Sequence, residues 1–194
     1  MNFLAHFHLA WPDEGLIVGG LEGDYAKGLL RGQLPRPLER GVQLHRAIDA
    51  YTDSHPLIQQ LRRELPPDLR RYAGILIDLS FDHYLSQHWS QFSSVSLPDF
   101  SATVYRILNE HESALSDGAR SMAVRLAQHD LLTLYQQWDT VTAAAARIGQ
   151  RFKRRNPFLD LDRELAPARE ALERTFLDFY PQLLSFSRLS IERL

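Results

Sequence analysis

Five of the eight histidines in this 194-residue chain (His6, His8, His45, His55 and His83) fall before residue 84, and aspartates are interleaved with them. The densest stretch is Leu44-His45-Arg46-Ala47-Ile48-Asp49-Ala50-Tyr51-Thr52-Asp53-Ser54-His55-Pro56. On a helix, residues four apart share a face, so His45, Asp49 and Asp53 stack along one side. A second stretch repeats the device: Asp78 and Asp82 are four apart, and His83 follows directly. Its aspartates sit among Ile75, Leu76, Ile77, Leu79 and Phe81. A carboxylate in such company is costly to bury unless it meets a cation, a metal or good hydrogen-bond donors. Two helices each presenting carboxylate and imidazole can converge on one metal centre, as happens in helical bundles. The mixed oxygen and imidazole donors suit Mg²⁺, Mn²⁺ or iron, and do not suit a structural zinc. Pairing of Asp78 and Asp82 with Arg70 and Arg71, and capping by Asp53 and His55 near a helix end, are the plainer alternatives. His8, His88, His111 and His129 show no partner pattern and read as structural or exposed.

The elements that must position these residues read as helices. Apolar residues recur at spacings of three and four, and strict alternation is nearly absent. Helical stretches are expected at about Gly41–Asp53, Asp68–Trp89, Pro98–Leu115, Gly118–His129, Leu131–Phe152 and Asp162–Leu189. Breaks are expected at His55-Pro56, Pro66-Pro67, Ser96-Leu97-Pro98, Asp117-Gly118 and Asn156-Pro157, since the residue before a proline is pushed out of the helical region. Ser116 or Asp117 suits a helix N-cap. The glycine-rich Val18-Gly19-Gly20-Leu21-Glu22-Gly23-Asp24 reads as a loop or a bent helix start. It lacks the Lys-Ser/Thr of a phosphate-binding loop, and no strand precedes it. The expectation is an all-α single domain, a helical bundle with its chemical core at about residues 1–130 and a helical extension at about 131–194.

Composition narrows the classes further. Cysteine is absent, which removes disulfides, thiolate metal sites and cysteine nucleophiles, and favours the cytoplasm. No basic leader and no apolar run of membrane-spanning length is present, so neither secretion nor a membrane is expected. No Gly-x-Ser-x-Gly elbow exists. The formal charge is −2, yet nine basic residues stand against five acidic ones between Lys27 and Arg71. A second basic run spans Arg147 to Arg155. Such clusters suit an anionic partner through long-range attraction, or are solvated helix faces. A pI near 6.4 argues against a dedicated nucleic-acid binder.

Several motifs taken together resemble one family. Met1-Asn2-Phe3-Leu4-Ala5-His6-Phe7-His8-Leu9-Ala10, Gly23-Asp24-Tyr25-Ala26-Lys27-Gly28, Leu44-His45-Arg46-Ala47-Ile48-Asp49 with Thr52-Asp53, and Asp82-His83-Tyr84-Leu85-Ser86-Gln87-His88-Trp89 are similar to the acyl carrier protein phosphodiesterases. The likeness runs through Phe179-Tyr180-Pro181. It implies an HD-domain-like, divalent-metal-dependent phosphohydrolase, most often with Mn²⁺ and with Mg²⁺ or Fe²⁺ as alternatives. The implied reaction, part of lipid metabolism, cleaves the phosphodiester between 4′-phosphopantetheine and a serine of acyl carrier protein, a small acidic protein.

By this resemblance Asp24, His45, Asp49, Asp78 and Asp82 are the expected metal ligands. Asp24, His83 and His6 are the expected catalytic groups, with His83 or His6 as proton donor. Lys27, Arg31 and Arg46 are expected to meet the phosphate. The chain departs from the doublet that names HD domains, for here the order is Asp82-His83. Two other readings of the same residues are a nucleotide or signalling-nucleotide phosphohydrolase on this scaffold, and a non-catalytic helical module that binds an acidic protein.

Overall fold

The computed structural model describes residues 1–152 and 156–194, so Lys153, Arg154 and Arg155 of the second basic run lie outside the described residues. Among the described residues every regular element is helical, in keeping with the all-α expectation. The α-helices are α1 (Phe3–Ala10), α2 (Glu14–Glu22), α3 (Arg36–Ser54), α4 (Pro56–Glu64), α5 (Ala73–Gln87), α6 (Trp89–Phe92), α7 (Leu97–Glu110), α8 (Asp117–Gln128), α9 (Leu131–Leu134), α10 (Trp138–Gly149), α11 (Leu161–Leu165) and α12 (Arg169–Ile191). No helix is long and apolar enough to cross a membrane among these residues.

Local chemistry accounts for most boundaries. α3 begins at Arg36, earlier than the apolar period indicates, because Pro37 is preorganised for a first helical turn. His55 ends α3 and caps α4, its Nδ1 accepting from the Leu57 N–H at 3.3 Å. Ser96 and Ser116 cap α7 and α8 by accepting from Asp99 and Ala119. Four expected stretches divide, the one at Pro98–Leu115 where α7 stops at Glu110 before a 3₁₀ turn at Glu112–Ala114. Pro67–Tyr72 winds as a 3₁₀ helix before α5, residues 135–137 separate α9 from α10, and Ala166–Ala168 turns as 3₁₀ around Pro167. The glycine-rich segment is not a loop: Gly19 and Gly20 lie inside α2. Both α1 and α2 fall in a region where the periodicity pointed to no helix.

Two arrangements matter for the chemistry. The first is the crossing of α2 and α3. A Cβ on Gly19 would lie 2.2 Å from the Leu38 carbonyl oxygen, and one on Gly41 would lie 2.7 Å from the Gly19 Cα. The two backbones therefore touch, and glycine at both positions is what permits it. The second is the grip on α1. Asn2 makes no side-chain cap at its N-terminus. Asp82 of α5 does so instead: Oδ2 accepts from the Leu4 N–H at 2.8 Å and Oδ1 from the Ala5 N–H at 3.1 Å. A carboxylate at a helix N-terminus also meets the positive end of the helix dipole. At the other end, the Ser187 hydroxyl of α12 donates to the Leu9 carbonyl at 3.0 Å, and His8 Nδ1 lies 2.8 Å from the Tyr180 hydroxyl.

α12 lies inside the bundle rather than trailing from it. Phe176, Phe179, Tyr180 and Leu183 are fully buried, and the helix packs on α1, α3, α4 and α5. α10 packs on α5 in the same way. The residues after about 131, expected as an extension, thus complete the core around the site-bearing helices.

Two outcomes follow for stability. Gly41→Ala should cost about 2 kcal/mol or more in urea unfolding, since overpacking a contact that cannot shift is worth about 1–3 kcal/mol. Gly20→Ala meets no atom within 4 Å, so it should be neutral or stabilising by about 0.5–1 kcal/mol. Burial pushes the Asp82 carboxyl up to about 7, against the pull of the Leu4 and Ala5 N–H groups and the Met1 ammonium, which favour its charge. A carboxyl whose folded value exceeds its unfolded one keeps its proton longer in the folded chain, so its ionisation opposes folding as pH rises. In the chelator-treated protein, wild type should therefore lose stability relative to Asp82→Asn between about pH 4 and pH 7, and the difference should be flat above that.

Candidate metal centre

α1, α3 and the end of α2 bring their polar residues to one point. α1 reads Phe-Leu-Ala-His-Phe-His-Leu-Ala, so both of its histidines are carried into apolar surroundings. His6 is 4% exposed and His45 of α3 is 6% exposed. Their rings stack, with centroids 4.0 Å apart and planes within 15°. Both direct Nε2 at the Asp49 carboxylate, one to each oxygen: His6 Nε2 to Oδ1 at 3.2 Å and His45 Nε2 to Oδ2 at 3.2 Å. His45 and Asp49 are the i,i+4 pair of the sequence pattern. His6, His45 and Asp49 each offer one donor atom within 4.8 Å of the others, the grouping among the described residues that can hold a metal ion.

Asp24 joins from the end of α2, its Oδ1 3.8 Å from His45 Nε2. Its approach depends on Gly23, where a Cβ would lie 2.5 Å from the His45 ring. The backbone runs directly against the imidazole there, which accounts for the Gly23-Asp24 pair. The buried Glu22 anchors this end of α2 by accepting the Ser116 N–H at 2.9 Å, tying it to the start of α8. Asp78 meets the group through the Met1 ammonium that it shares with Asp49. The Met1 ammonium, wholly buried, sits 2.9 Å from Asp78 Oδ1 and 3.4 Å from Asp49 Oδ1.

The electrostatics of this group favour an added cation. Burial, helped by the neighbouring His45, drives His6 down to about 4 against the pull of Asp49. His6 is therefore a neutral imidazole at pH 7, the form that binds metals. Burial pushes the Asp49 carboxyl up, but the contacts from His45 and His6 outweigh it and hold the group well below the usual carboxylate range. Burial raises Asp24 despite His45. The Met1 ammonium loses solvation, yet Asp78 and Asp49 raise it to about 10. Three carboxylates thus face one ammonium and a neutral His6.

The donor geometry agrees. Both nitrogens of His6 and Nδ1 of His45 are buried without a hydrogen-bond partner, although His6 Nε2 lies close to Asp49. Unsatisfied buried imidazole nitrogens are costly. Ligands at about 2.1 Å from one ion, at right angles, stand about 3 Å apart. The two 3.2 Å separations match that spacing. The residues present fit a divalent cation held by two imidazoles and one or two carboxylates.

Other expected residues take different places. Asp82 is committed through both oxygens to the α1 backbone, so it orients the helix that carries His6. His83 directs Nδ1 to the Tyr135 carbonyl at 2.7 Å and packs edge-on against Trp138. Arg46 forks onto the Gly28 and Ala26 carbonyls, each at 2.8 Å, and not toward the cluster. Lys27 and Arg31 are exposed on the segment between α2 and α3. Asp53 leaves the stack to pair with Arg62 at 2.5 Å. Arg70 donates to the Leu65 carbonyl and Arg71 lies over the Tyr72 ring, so neither meets Asp78 or Asp82. His8, His88 and His111 pair with Tyr180, Glu173 and Glu14, outside the cluster.

Spacing alone missed His6 and the Met1 ammonium. The available signal for His6 was an apolar eight-residue stretch carrying two histidines, which has to bury at least one of them. Nothing in a residue pattern marks an α-ammonium.

Comparison with known proteins now adds to the geometry. The family model described as acyl carrier protein phosphodiesterase matches residues 1–183. A Klebsiella pneumoniae (strain 342) protein named acyl carrier protein phosphodiesterase is 31% identical over 189 residues, covering 95% of this chain and 96% of that protein. Proteins of the same name from Escherichia coli O6:H1 (strain CFT073) and Yersinia pestis are 31% and 30% identical over the same shares. No solved structure gives a significant match. With a family model spanning nearly its whole length and relatives 30–31% identical over 95% of it, the chain belongs to the acyl carrier protein phosphodiesterase family.

Proposed function

We propose that this chain hydrolyses the phosphodiester linking 4′-phosphopantetheine to a serine of acyl carrier protein, releasing apo carrier protein and free 4′-phosphopantetheine. The observation that carries the reading is the His6–His45–Asp49 cluster in a chain that matches this family over residues 1–183. His6, His45 and Asp49 would hold the divalent cation, with Asp24 completing the set from the rim. Imidazole and carboxylate donors together suit Mn²⁺, with Mg²⁺ and Fe²⁺ as the alternatives. The cation supplies Lewis acidity toward a phosphoryl oxygen and toward water.

The protein residues do the rest. Stacking fixes both imidazoles, and the Asp82 grip on α1 fixes the height of His6. Asp24 is 47% exposed in its side chain and stands where substrate arrives from solvent. We assign it the proton transfer: its carboxylate takes a proton from the attacking water as the new P–O bond forms. It then delivers that proton to the serine oxygen as the old P–O bond breaks. Lys27 and Arg31, exposed beyond Asp24, supply positive charge for the phosphate as it approaches. Arg46 acts one step back by bracing the segment that carries them.

Incubation of holo carrier protein with enzyme and Mn²⁺, followed by intact mass, should show loss of the phosphopantetheine mass and its arrest by chelator. Asp24→Asn should lower kcat by about 10²–10⁴, the usual worth of a positioned proton-transfer group, with helical circular dichroism unchanged. Retention of the phosphopantetheine mass in the presence of metal would overturn the reaction, and near-normal kcat in Asp24→Asn would remove Asp24 from it.

A further inference from the structure

The segment between α2 and α3 is the longest non-helical connection near the metal centre, and the reaction proposed above leaves its exposed Leu29, and Arg36 at its end, without a role. From Tyr25 to Leu38 in the first turn of α3, between Asp24 and Glu39, the chain carries Lys27, Arg31 and Arg36 and no acidic residue. All three cations are exposed, and none has a carboxylate within ion-pair distance among the described residues. Between the first two stands Leu29, 77% exposed, the most exposed large apolar side chain among the described residues. A single exposed leucine is ordinary. One held out by a braced backbone, between unpaired cations and five residues from a site carboxylate, is not.

The backbone here is built to keep its shape. Gly28 and Gly32 take φ of 78° and 71°, the left-handed region that favours glycine, so the chain bends sharply on either side of the Leu29-Leu30-Arg31 tip. The Arg46 guanidinium grips the Ala26 and Gly28 carbonyls with two 2.8 Å bonds, and the Gly32 N–H donates to Glu39 at 3.4 Å. Arg46 sits one residue after His45, so the same turn of α3 that supplies a metal-binding imidazole also sets the tip. Such bracing lowers the entropy lost when a partner docks.

We propose that the 27–31 tip is the docking element for the carrier protein, with Leu29 as its apolar anchor and Lys27, Arg31 and Arg36 as the cations that meet the carrier's acidic surface. The inference rests on the proposed function for the identity of the partner. Charge complementarity argues for that occupant, since every charge between Asp24 and Glu39 is positive and Leu29 is the one strongly exposed large apolar side chain there. An apolar anchor ringed by polar groups is also where binding energy concentrates in protein interfaces. Its place, beginning next to Asp24, delivers the carrier's phosphodiester to the site. Contact through exposed cations should also weaken with salt.

The test compares wild type with Leu29→Asp and Leu29→Ser, each loaded with Mn²⁺, on holo carrier protein and on bis(p-nitrophenyl) phosphate. A calorimetric titration with apo carrier protein runs alongside. Leu29 touches neither the cation nor the phosphoryl group. The expected result is a KM for holo carrier protein raised at least tenfold by Leu29→Asp and less by Leu29→Ser. kcat and hydrolysis of the small diester should stay within twofold, and apo carrier binding should weaken in parallel. Carrier kinetics and binding within twofold of wild type in Leu29→Asp would overturn the docking role. If wild type leaves holo carrier protein uncleaved, the proposed function fails, and the titration still decides this inference. Binding that Leu29→Asp abolishes would support the tip, and no binding by wild type would overturn it.

Discussion

The Asp49 carboxylate is the point on which the structure turns. Each of its oxygens faces one of two stacked imidazoles, and Oδ1 also faces a buried ammonium. Asp49 is half-buried, and an anion partly withdrawn from water needs compensating charge or hydrogen bonds. Here the compensation is drawn from three elements of the chain: α1 through His6, α3 through His45, and the start of the chain through Met1. Asp24 and Asp78 add two more carboxylates at the edge. The result is a pocket of negative charge lined by neutral or unpartnered imidazole nitrogens, and such a group is stabilised most simply by a divalent cation.

Everything around this group serves to hold it in place. α1 cannot slide, because Asp82 fixes its first turn and Ser187 its last. α2 and α3 cross with their backbones in contact at Gly19 and Gly41, which brings Asp24 beside His45. Glu22 ties the end of α2 to the start of α8. α12 fills the space behind α1, α3 and α5 with Phe176, Phe179 and Tyr180. Ligands that converge from separate helices need this kind of support, since a shift of a fraction of an ångström in one helix would open the donor set.

Part of the site could be read from spacing. The i,i+4 relation of His45 and Asp49 marks one helical face, and the structure uses that face. The same rule also selected Asp53, Asp78 and Asp82, and these went elsewhere: to Arg62, to the Met1 ammonium and to the α1 backbone. A spacing rule reports which residues share a face and not what the face meets, so it does not separate a ligand from a cap or an ion pair. His6 and Asp24 belong to no i,i+4 pattern of acid and imidazole, and the family resemblance is what marked them. The helix count after residue 131 was blurred for a different reason. An apolar period continues across Pro167 and across residues 135–137, where the backbone turns but the buried face does not change.

The proposed reaction requires that a small carrier protein present its phosphodiester to a recessed cation site. The placement of the metal-competent group on α1 and α3 beside the end of α2, with a braced, positively charged segment leading away from Asp24, suits that requirement. The central claim is that His6, His45 and Asp49 form a real cation site. Electron paramagnetic resonance titration with Mn²⁺ tests it most directly, comparing wild type with Asp49→Asn and with Asp53→Asn as a control for lost charge. Loss of a stoichiometric bound-Mn²⁺ signal in Asp49→Asn alone is the predicted result. Equal Mn²⁺ binding by wild type and Asp49→Asn, or no stoichiometric binding by wild type, would contradict it.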